Sequence, residues 1–356
     1  MREMRLEAAL EHAGLMLGEF LGEGAWHYAW QVNRGEQQLV LRIPKTIAYG
    51  KQVSFDEAAL KAEYAGTKLY YQTVNKAHEG AAPLFFDYHV TPELTYTIET
   101  YGGSQIDLHT ITLERAYKIG LQTGAIHKAT EEIPHGLAGF GYLAWSEEKG
   151  LHGALNGDVS EFIYEESEEH LADYQALCLA YLDYDDIIVK KALQLAVNLR
   201  KKAFIKPLLG NQDVSPENIL CSGENVCLID PYPSVYYARG MAGNFMNLYE
   251  TYFVALADTE RYKKHRFHEC KGNLRMIAKG FIEGYSAGNQ QIVGEIRGEQ
   301  LLQLLETAHS HFRLLSEDVA KETEIRYGNK EAIEKRVEML CRELKELAAS
   351  QIKVLV

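Results

Sequence analysis

The chain has no excess of basic residues. It carries 37 Lys and Arg against 50 Asp and Glu, a formal net charge of −13. That argues against a general nucleic-acid binder, which needs a basic surface to neutralise phosphates. It has no run of 18 apolar residues, so no membrane span is expected. Its five cysteines are an odd number without a CxxC pair. A disulfide framework is therefore not expected, and the thiols read as reduced in a cytoplasmic protein. The N-terminal MREMRLEAALEHAG is charged throughout and lacks the apolar core of a signal peptide. There is no internal repeat and no low-complexity tract.

What is present suits a soluble enzyme. At 356 residues the chain is long enough for two domains or two lobes. An apolar fraction of 46% allows a large core without a disulfide or metal staple. Residues 1–15 have amphipathic helical spacing. In LGEFLGEGAWHYAWQVNRGEQQLVLRIPK, Gly22 and Gly24 sit between strand-like pieces, Arg34-Gly35-Glu36 predicts a hairpin turn and QLVLRI a buried strand. Ser54 and Glu57 have capping-box spacing and predict a helix to about Thr73, with Ala59, Glu63 and Gly66 on one face. LFFDYHV and TYTIETYG read as two further strands.

Past Tyr101-Gly102-Gly103-Ser104, a connector, the pattern turns helical. GLAGFGYLAW and GLHGALNGD read as glycine-rich loops, 159–203 as one or two long helices, and AFIKPLL as a strand. ILCSGENVCLID predicts a hairpin. Residues 241–356 read as nearly all helix, ending in a stripe of Ile333, Val337, Leu340, Leu344 and Leu347.

The chemistry-bearing stretch is NQDVSPENIL, with Asp213 and Asn218, followed by CLID, which ends in Asp230. Phosphoryl transfer asks a protein to position phosphates, neutralise their charge and aim a hydroxyl. Mg²⁺ prefers an octahedron of oxygens at roughly 2.0–2.1 Å and keeps several waters. Asp230 and Asn218 can supply a carboxylate and an amide oxygen beside the phosphates. Asp213 can accept or orient the proton of the attacking hydroxyl. Read singly, Asp213 and Asn218 are also ordinary turn and capping residues; the second acid downstream is what favours a metal–phosphate site.

Asp213-Val-Ser-Pro-Glu-Asn218-Ile-Leu resembles the catalytic loop of the kinase fold, H-x-D-x-x-x-x-N, and Ile229-Asp230 resembles the end of its metal-binding strand. Gly139-Phe140-Gly141, and the lack of an Ala-Pro-Glu after Asp230, are similar to the aminoglycoside phosphotransferase and choline-kinase-like group. The resemblance runs to about residue 250. It implies an α+β, two-lobed protein-kinase-like fold. Residues 1–100 would form a small, mostly antiparallel β lobe with one main helix. Residues 101–356 would form a larger helical lobe with the catalytic loop and acceptor site, and the hinge would lie at about 99–104.

The resemblance also implies roles. Asp213 would be catalytic, and Asn218 and Asp230 would hold Mg²⁺. Gly22 and Gly24 would form the phosphate loop, Arg42 would be the phosphate-pairing cation, and Glu63 the acid that holds it. Glu99 and Tyr101 would meet the purine of ATP or GTP. The acceptor would be a hydroxyl on a small molecule, expected to be cationic, such as an aminoglycoside or amino-alcohol. The chain would work as a monomer or homodimer, without nucleic acid or membrane.

Five features depart from the family pattern, one of them the DFG-like step, which reads Asp230-Pro231-Tyr232 and so lacks a swinging Phe. Asn211 stands where the loop usually starts with His, and Ser215 where Ser/Thr protein kinases carry Lys, which weakens a protein-kinase reading. The cation is Arg rather than Lys. The third loop glycine is missing, with His27 near its place. Acids crowd residues 157–186; Glu161, Glu165 and Asp186 are candidates for the acceptor site, and a solvated helix face explains them equally well. Tyr232 and Tyr236 could line the same cleft. His127 reads as a satisfied core histidine, and His265, His268 and Cys270 lack a fourth zinc-like ligand. The alternative function is a catalytically degenerate kinase-fold module that binds a nucleotide or a partner.

Overall fold

The computed structural model describes residues 2–317 and 320–355. They fall into two compact units. One comprises residues up to Ile106, Glu132–Leu155 and Asp213–Val235. The other comprises Asp107–Glu131, Asn156–Gln212 and the chain from Tyr236 onward.

The first unit is built on a five-stranded antiparallel sheet, in the order Met16–Glu23, His27–Arg34, Gln37–Pro44, Thr95–Thr100, Phe86–Val90. Strand alternation decides its two faces. Leu39, Leu41 and Ile43 join Trp30, Val32, Tyr96 and Ile98 in one core, which Leu6 and Ala9 of the helix Arg2–Ala13 complete. Val40 and Arg42 fall on the opposite face. The expected hairpin is present: Gly35, at φ +61°, takes the left-handed position of a two-residue turn between Arg34 and Gln37.

The main helix, Glu57–Ala77, begins two residues later than the capping-box spacing implies. Asp56 rather than Ser54 caps it, its Oδ1 accepting from the Ala59 N–H at 3.0 Å. A carboxylate beside the positive end of the helix is also favoured by the helix dipole.

The segments read as glycine-rich loops are instead the antiparallel strands Phe140–Ser146 and Gly150–Leu155, with Pro233–Tyr236 alongside. The glycines mark close backbone approach rather than irregularity. A Cβ on Gly153 would lie 2.3 Å from the Phe140 nitrogen, and one on Gly139 would lie 2.6 Å from the Gly153 oxygen. The hairpin Ile219–Ser222 with Asn225–Leu228 forms as expected around Gly223.

The second unit is helical. Val159–Ala180 and Ile187–Ala203 bear out the long helices read at 159–203, and the following strand, Leu208–Asn211, starts later than AFIKPLL suggested. These two helices share a core with Gln290–Ser316 and Lys330–Leu355, to which Val337, Leu340 and Leu344 contribute. Leu113–Glu131 crosses Lys271–Ser286 backbone to backbone. A Cβ on Gly120 would sit 1.9 Å from the Ile277 oxygen, and one on Gly284 would sit 2.0 Å from the Leu121 oxygen. Gly124 and Gly280 make the same kind of contact, so a four-residue glycine spacing on both helices sets the distance between them.

Arg200 is a further feature of this unit, its side chain 1% exposed. Its Nη2 donates to Glu166 and to the Tyr236 hydroxyl, and its Nη1 to His170 Nε2 at 2.9 Å. Glu299, equally buried, lies 3.8 Å from Arg200 Nε. Burial pushes the Glu299 carboxyl up to about 7, against the pull of Arg200. Tyr236 is thus part of a buried charge network.

Candidate active site

The site residues of the first unit are assembled by strand register. Arg42 lies directly opposite Thr97, and Val40 opposite Glu99. Glu99 is therefore the diagonal neighbour of Arg42 on the same face, within reach of a long side chain. Arg42 Nη2 meets Glu99 Oε1 at 2.8 Å, and Arg42 Nη1 meets Asp230 Oδ1 at 2.9 Å. Tyr71 of the main helix packs its ring at 5.5 Å edge-on to Phe86, the strand partner of Glu99. Its hydroxyl donates to Glu99 Oε2 at 3.0 Å and accepts from the Asp230 N–H at 3.0 Å.

The expected partnership between Arg42 and Glu63 is not what the structure contains. Arg42 is paired with Glu99 and Asp230, and Glu63 is left exposed on the main helix. Glu99, expected to contribute its backbone to a purine site, is 3% exposed with its carboxylate held by Arg42 and Tyr71. The strand of Arg42 is the centre of the sheet.

Burial by itself disfavours the Arg42 charge, but Glu99 and Asp230 outweigh it and hold the guanidinium firmly protonated. Burial raises the Glu99 carboxyl, and Arg42 opposes that. Glu63 is pushed up to about 7, first by its protein surroundings and then by the Asp230 charge. Water reaches Glu63, so its pull toward neutrality is weaker than for a sealed carboxyl. His27 is pushed down to about 4 by burial, with Asp230 opposing and Arg42, Arg5 and Lys45 adding to it. Its Nε2 lies 3.1 Å from the Tyr64 hydroxyl.

The catalytic-loop segment folds locally. Asp213 Oδ1 accepts from the Ser215 N–H at 3.3 Å, and Pro216 opens a 3₁₀ turn that ends at Asn218. Pairing of Ile219 with Leu228 then brings the residues just outside the hairpin together. The Ile229 N–H donates to the Asn218 carbonyl at 3.0 Å, and Asn218 Nδ2 donates to the Asp230 carbonyl at 3.3 Å. Asn218 and Asp230, predicted as a pair, are in contact.

Among the described residues neither Asn218 Oδ1 nor Asp230 Oδ2 has a hydrogen-bond donor. Both are hard oxygens of the kind Mg²⁺ takes. The Asp230 and Glu99 carboxylates share the Arg42 guanidinium, and the Asp230 charge also acts on Glu63. Among the described residues no group of three or more His, Cys, Asp or Glu could hold a metal unaided.

Gly22, at φ +139°, and Gly24 lie in the first hairpin of the sheet, and a Cβ on either would meet nothing within 4 Å. Tyr101 follows the strand Thr95–Thr100, its N–H donating to Gln38 at 3.4 Å. Gly102 and Gly103 press on the hairpin of Asp230. A Cβ on Gly102 would lie 2.7 Å from Cys227 Sγ, and one on Gly103 would lie 2.4 Å from the Cys221 carbonyl. The Tyr232 ring packs tilted against Tyr142, centroids 5.1 Å apart, and its hydroxyl is raised by burial and then by Glu63.

In the second unit, Glu161 and Glu165 are exposed on the helix Val159–Ala180 and have no ion-pair partner among the described residues. Asp186 differs. It caps Ile187–Ala203, its Oδ1 accepting from Ile188 at 2.8 Å and from Val189 at 3.4 Å, so its carboxylate has a structural task. His127 is packed edge-on to Phe281 and Phe245, but among the described residues its buried Nε2 has no hydrogen-bond partner: a core histidine, and not a satisfied one. Tyr71 and the Glu99 carboxylate are what sequence reasoning missed. The signal was available, since an acid in the apolar strand TYTIET needs a partner as much as Arg42 does.

No protein-family model matches the chain, and no curated protein does. Solved structures do. The crystal structure of aminoglycoside phosphotransferase APH(4)-Ia is 15% identical, covering 97% of this chain and 99% of that one at a TM-score of 0.55. A thermostable mutant of that enzyme, in ternary complex with ADP and hygromycin B, is 14% identical and covers 96% of this chain and 97% of its own, TM-score 0.54. A choline/ethanolamine kinase family protein from Mesorhizobium loti is 14% identical and covers 99% of this chain and 98% of its own, TM-score 0.50. These likenesses establish a protein-kinase-like fold, with an antiparallel-sheet part and a larger helical part.

Proposed function

We propose that the protein is a small-molecule kinase that transfers the γ-phosphoryl group of ATP or GTP to a hydroxyl of a cationic acceptor, such as an aminoglycoside or amino-alcohol. One observation carries the reading: Arg42, Asp230 and Asn218 meet at one place, with two hard oxygens left open. The likeness to an enzyme bound to ADP and hygromycin B supports it.

In this reading Asn218 Oδ1 and Asp230 Oδ2 would hold Mg²⁺, which when bound would neutralise phosphate charge. Arg42 lies against Asp230 and pairs with a phosphate oxygen. The hairpin carrying Gly22 and Gly24, whose Gly24 N–H donates to the His27 carbonyl at 2.9 Å, is the candidate phosphate loop, and the chain at Tyr101 is the candidate purine contact. Glu63, exposed and raised, faces the same charges and is a candidate to bind the metal's water shell. Asp213 would orient the acceptor hydroxyl and take its proton as that oxygen bonds to the γ-phosphorus and the bond to the bridging oxygen breaks, releasing the nucleoside diphosphate. Glu161 and Glu165 are the candidate acceptor carboxylates, with Tyr232 as a candidate aromatic contact. The chain is proposed to act in the cytoplasm.

The test is ADP release with Mg-ATP and a library of amino-alcohols and aminoglycosides. An acceptor should stimulate release, and Asp213→Asn should lose about 10²-fold or more of that rate. Full turnover by Asp213→Asn with a confirmed acceptor would defeat the assignment. Nucleotide binding without turnover across the library would favour the non-catalytic binding module instead.

A further inference from the structure

The contacts around Asp230 close on themselves. The Asp230 N–H donates to the Tyr71 hydroxyl, which donates to Glu99 Oε2. Glu99 Oε1 is held by Arg42 Nη2, and Arg42 Nη1 returns to Asp230 Oδ1. A tyrosine hydroxyl has a single proton. The Asp230 N–H can only donate, so the hydroxyl presents a lone pair to it and its single proton goes to Glu99. The ring therefore has one hydrogen-bond direction.

Asp230 needs such support. Its φ is +48°, a left-handed conformation that a residue other than glycine adopts at a cost. Three elements hold it there: Tyr71 its N–H, Asn218 its carbonyl and Arg42 one carboxylate oxygen. That geometry leaves Oδ2 as the open oxygen.

We propose that Tyr71 and Glu99 are positioning residues for the metal-binding carboxylate. Together they fix the backbone conformation of Asp230 and thereby the direction of Oδ2, while Glu99 takes the place beside Arg42 that leaves Glu63 free. Neither touches the metal or the nucleotide. The inference rests on the kinase reading.

The experiment is Mn²⁺ titration followed by electron paramagnetic resonance of free Mn²⁺, with saturating ADP, on the full chain. Wild type, Tyr71→Phe, Glu99→Gln and the double variant are compared, with thermal melts of each. Tyr71→Phe should weaken Mn²⁺ binding about tenfold, while ADP affinity in EDTA changes by less than about twofold. The double variant should be little worse than the weaker single one, since both break one ring. Glu99→Gln preserves side-chain shape and serves if Tyr71→Phe folds poorly. A lowered melting temperature with Mn²⁺ affinity unchanged would reduce Tyr71 to a packing role and overturn the inference, as would fully additive losses. If wild type itself bound no Mn²⁺ with ADP, the proposed function would fall and the inference with it.

Discussion

Arg200→Met tests how charge is balanced in the helical unit. Arg200 and Glu299 side chains are each 1% exposed. Glu299 has no hydrogen-bond donor among the described residues and rests on its charge interaction with Arg200. Its carboxyl, at about 7, is above the roughly 4.3 of an unfolded chain, so the folded state binds the extra proton. Such a group weakens folding as pH rises from the unfolded value to the folded one. Removing Arg200 raises the folded value further.

Below about pH 7 Glu299 then stays protonated in both proteins, and the variant loses mainly its hydrogen bonds, about 1–2 kcal/mol. Above it the deficit should widen by about 1.4 kcal/mol per pH unit, toward the roughly 3–5 kcal/mol typical of a broken buried pair. His170, pushed down to about 3 by burial and then by Arg200, stays neutral across this window. The assay is urea unfolding at about pH 6 and about pH 8.5. Adding Glu299→Gln should remove most of the widening. A deficit equal at both pH values, or a widening untouched by the second substitution, would refute the reasoning.

Further outcomes follow from the same unit. Burial pushes His127 down to about 4, so the unfolded chain binds its proton first; stability should fall by up to roughly 3 kcal/mol as pH drops from about 6.5 through about 4. His127→Phe should flatten that part of the pH profile. Gly124→Val places a Cβ 2.1 Å from the Phe281 carbonyl and should cost on the order of 3 kcal/mol in urea unfolding. Gly272→Ala, whose nearest neighbour would be Leu113 Cδ2 at 3.7 Å, should change stability by less than about 0.5 kcal/mol.

Local chemistry accounts for what could be read early. The hairpins at Gly35 and Gly223 need a left-handed residue followed by a strand, and that is a short-range requirement. The helices of 159–203 and the Val337, Leu340, Leu344 stripe follow from periodicity. Contact between Asn218 and Asp230 follows from the register of one hairpin, and so was already implicit in the spacing of ILCSGENVCLID. The glycine-rich strands at 140–155 misled because glycine lowers strand propensity wherever it occurs, while its reason there, a backbone 2.3 Å from where a Cβ would be, lies on another strand.

The sequence by itself therefore determined the alternation that divides the sheet's faces, the two-residue turns, and the acid–amide–acid spacing around Asp213, Asn218 and Asp230. Only the tertiary structure decided which carboxylate takes Arg42. Glu63 and Glu99 are both acids within one domain's length of chain, and nothing in their local sequence ranks them. The register of two antiparallel strands put Glu99 diagonally across from Arg42, and Tyr71 on the covering helix closed the remaining bond. Long-range register and packing make that choice, because a buried guanidinium pairs with whichever carboxylate the folded backbone sets within about 3 Å of it.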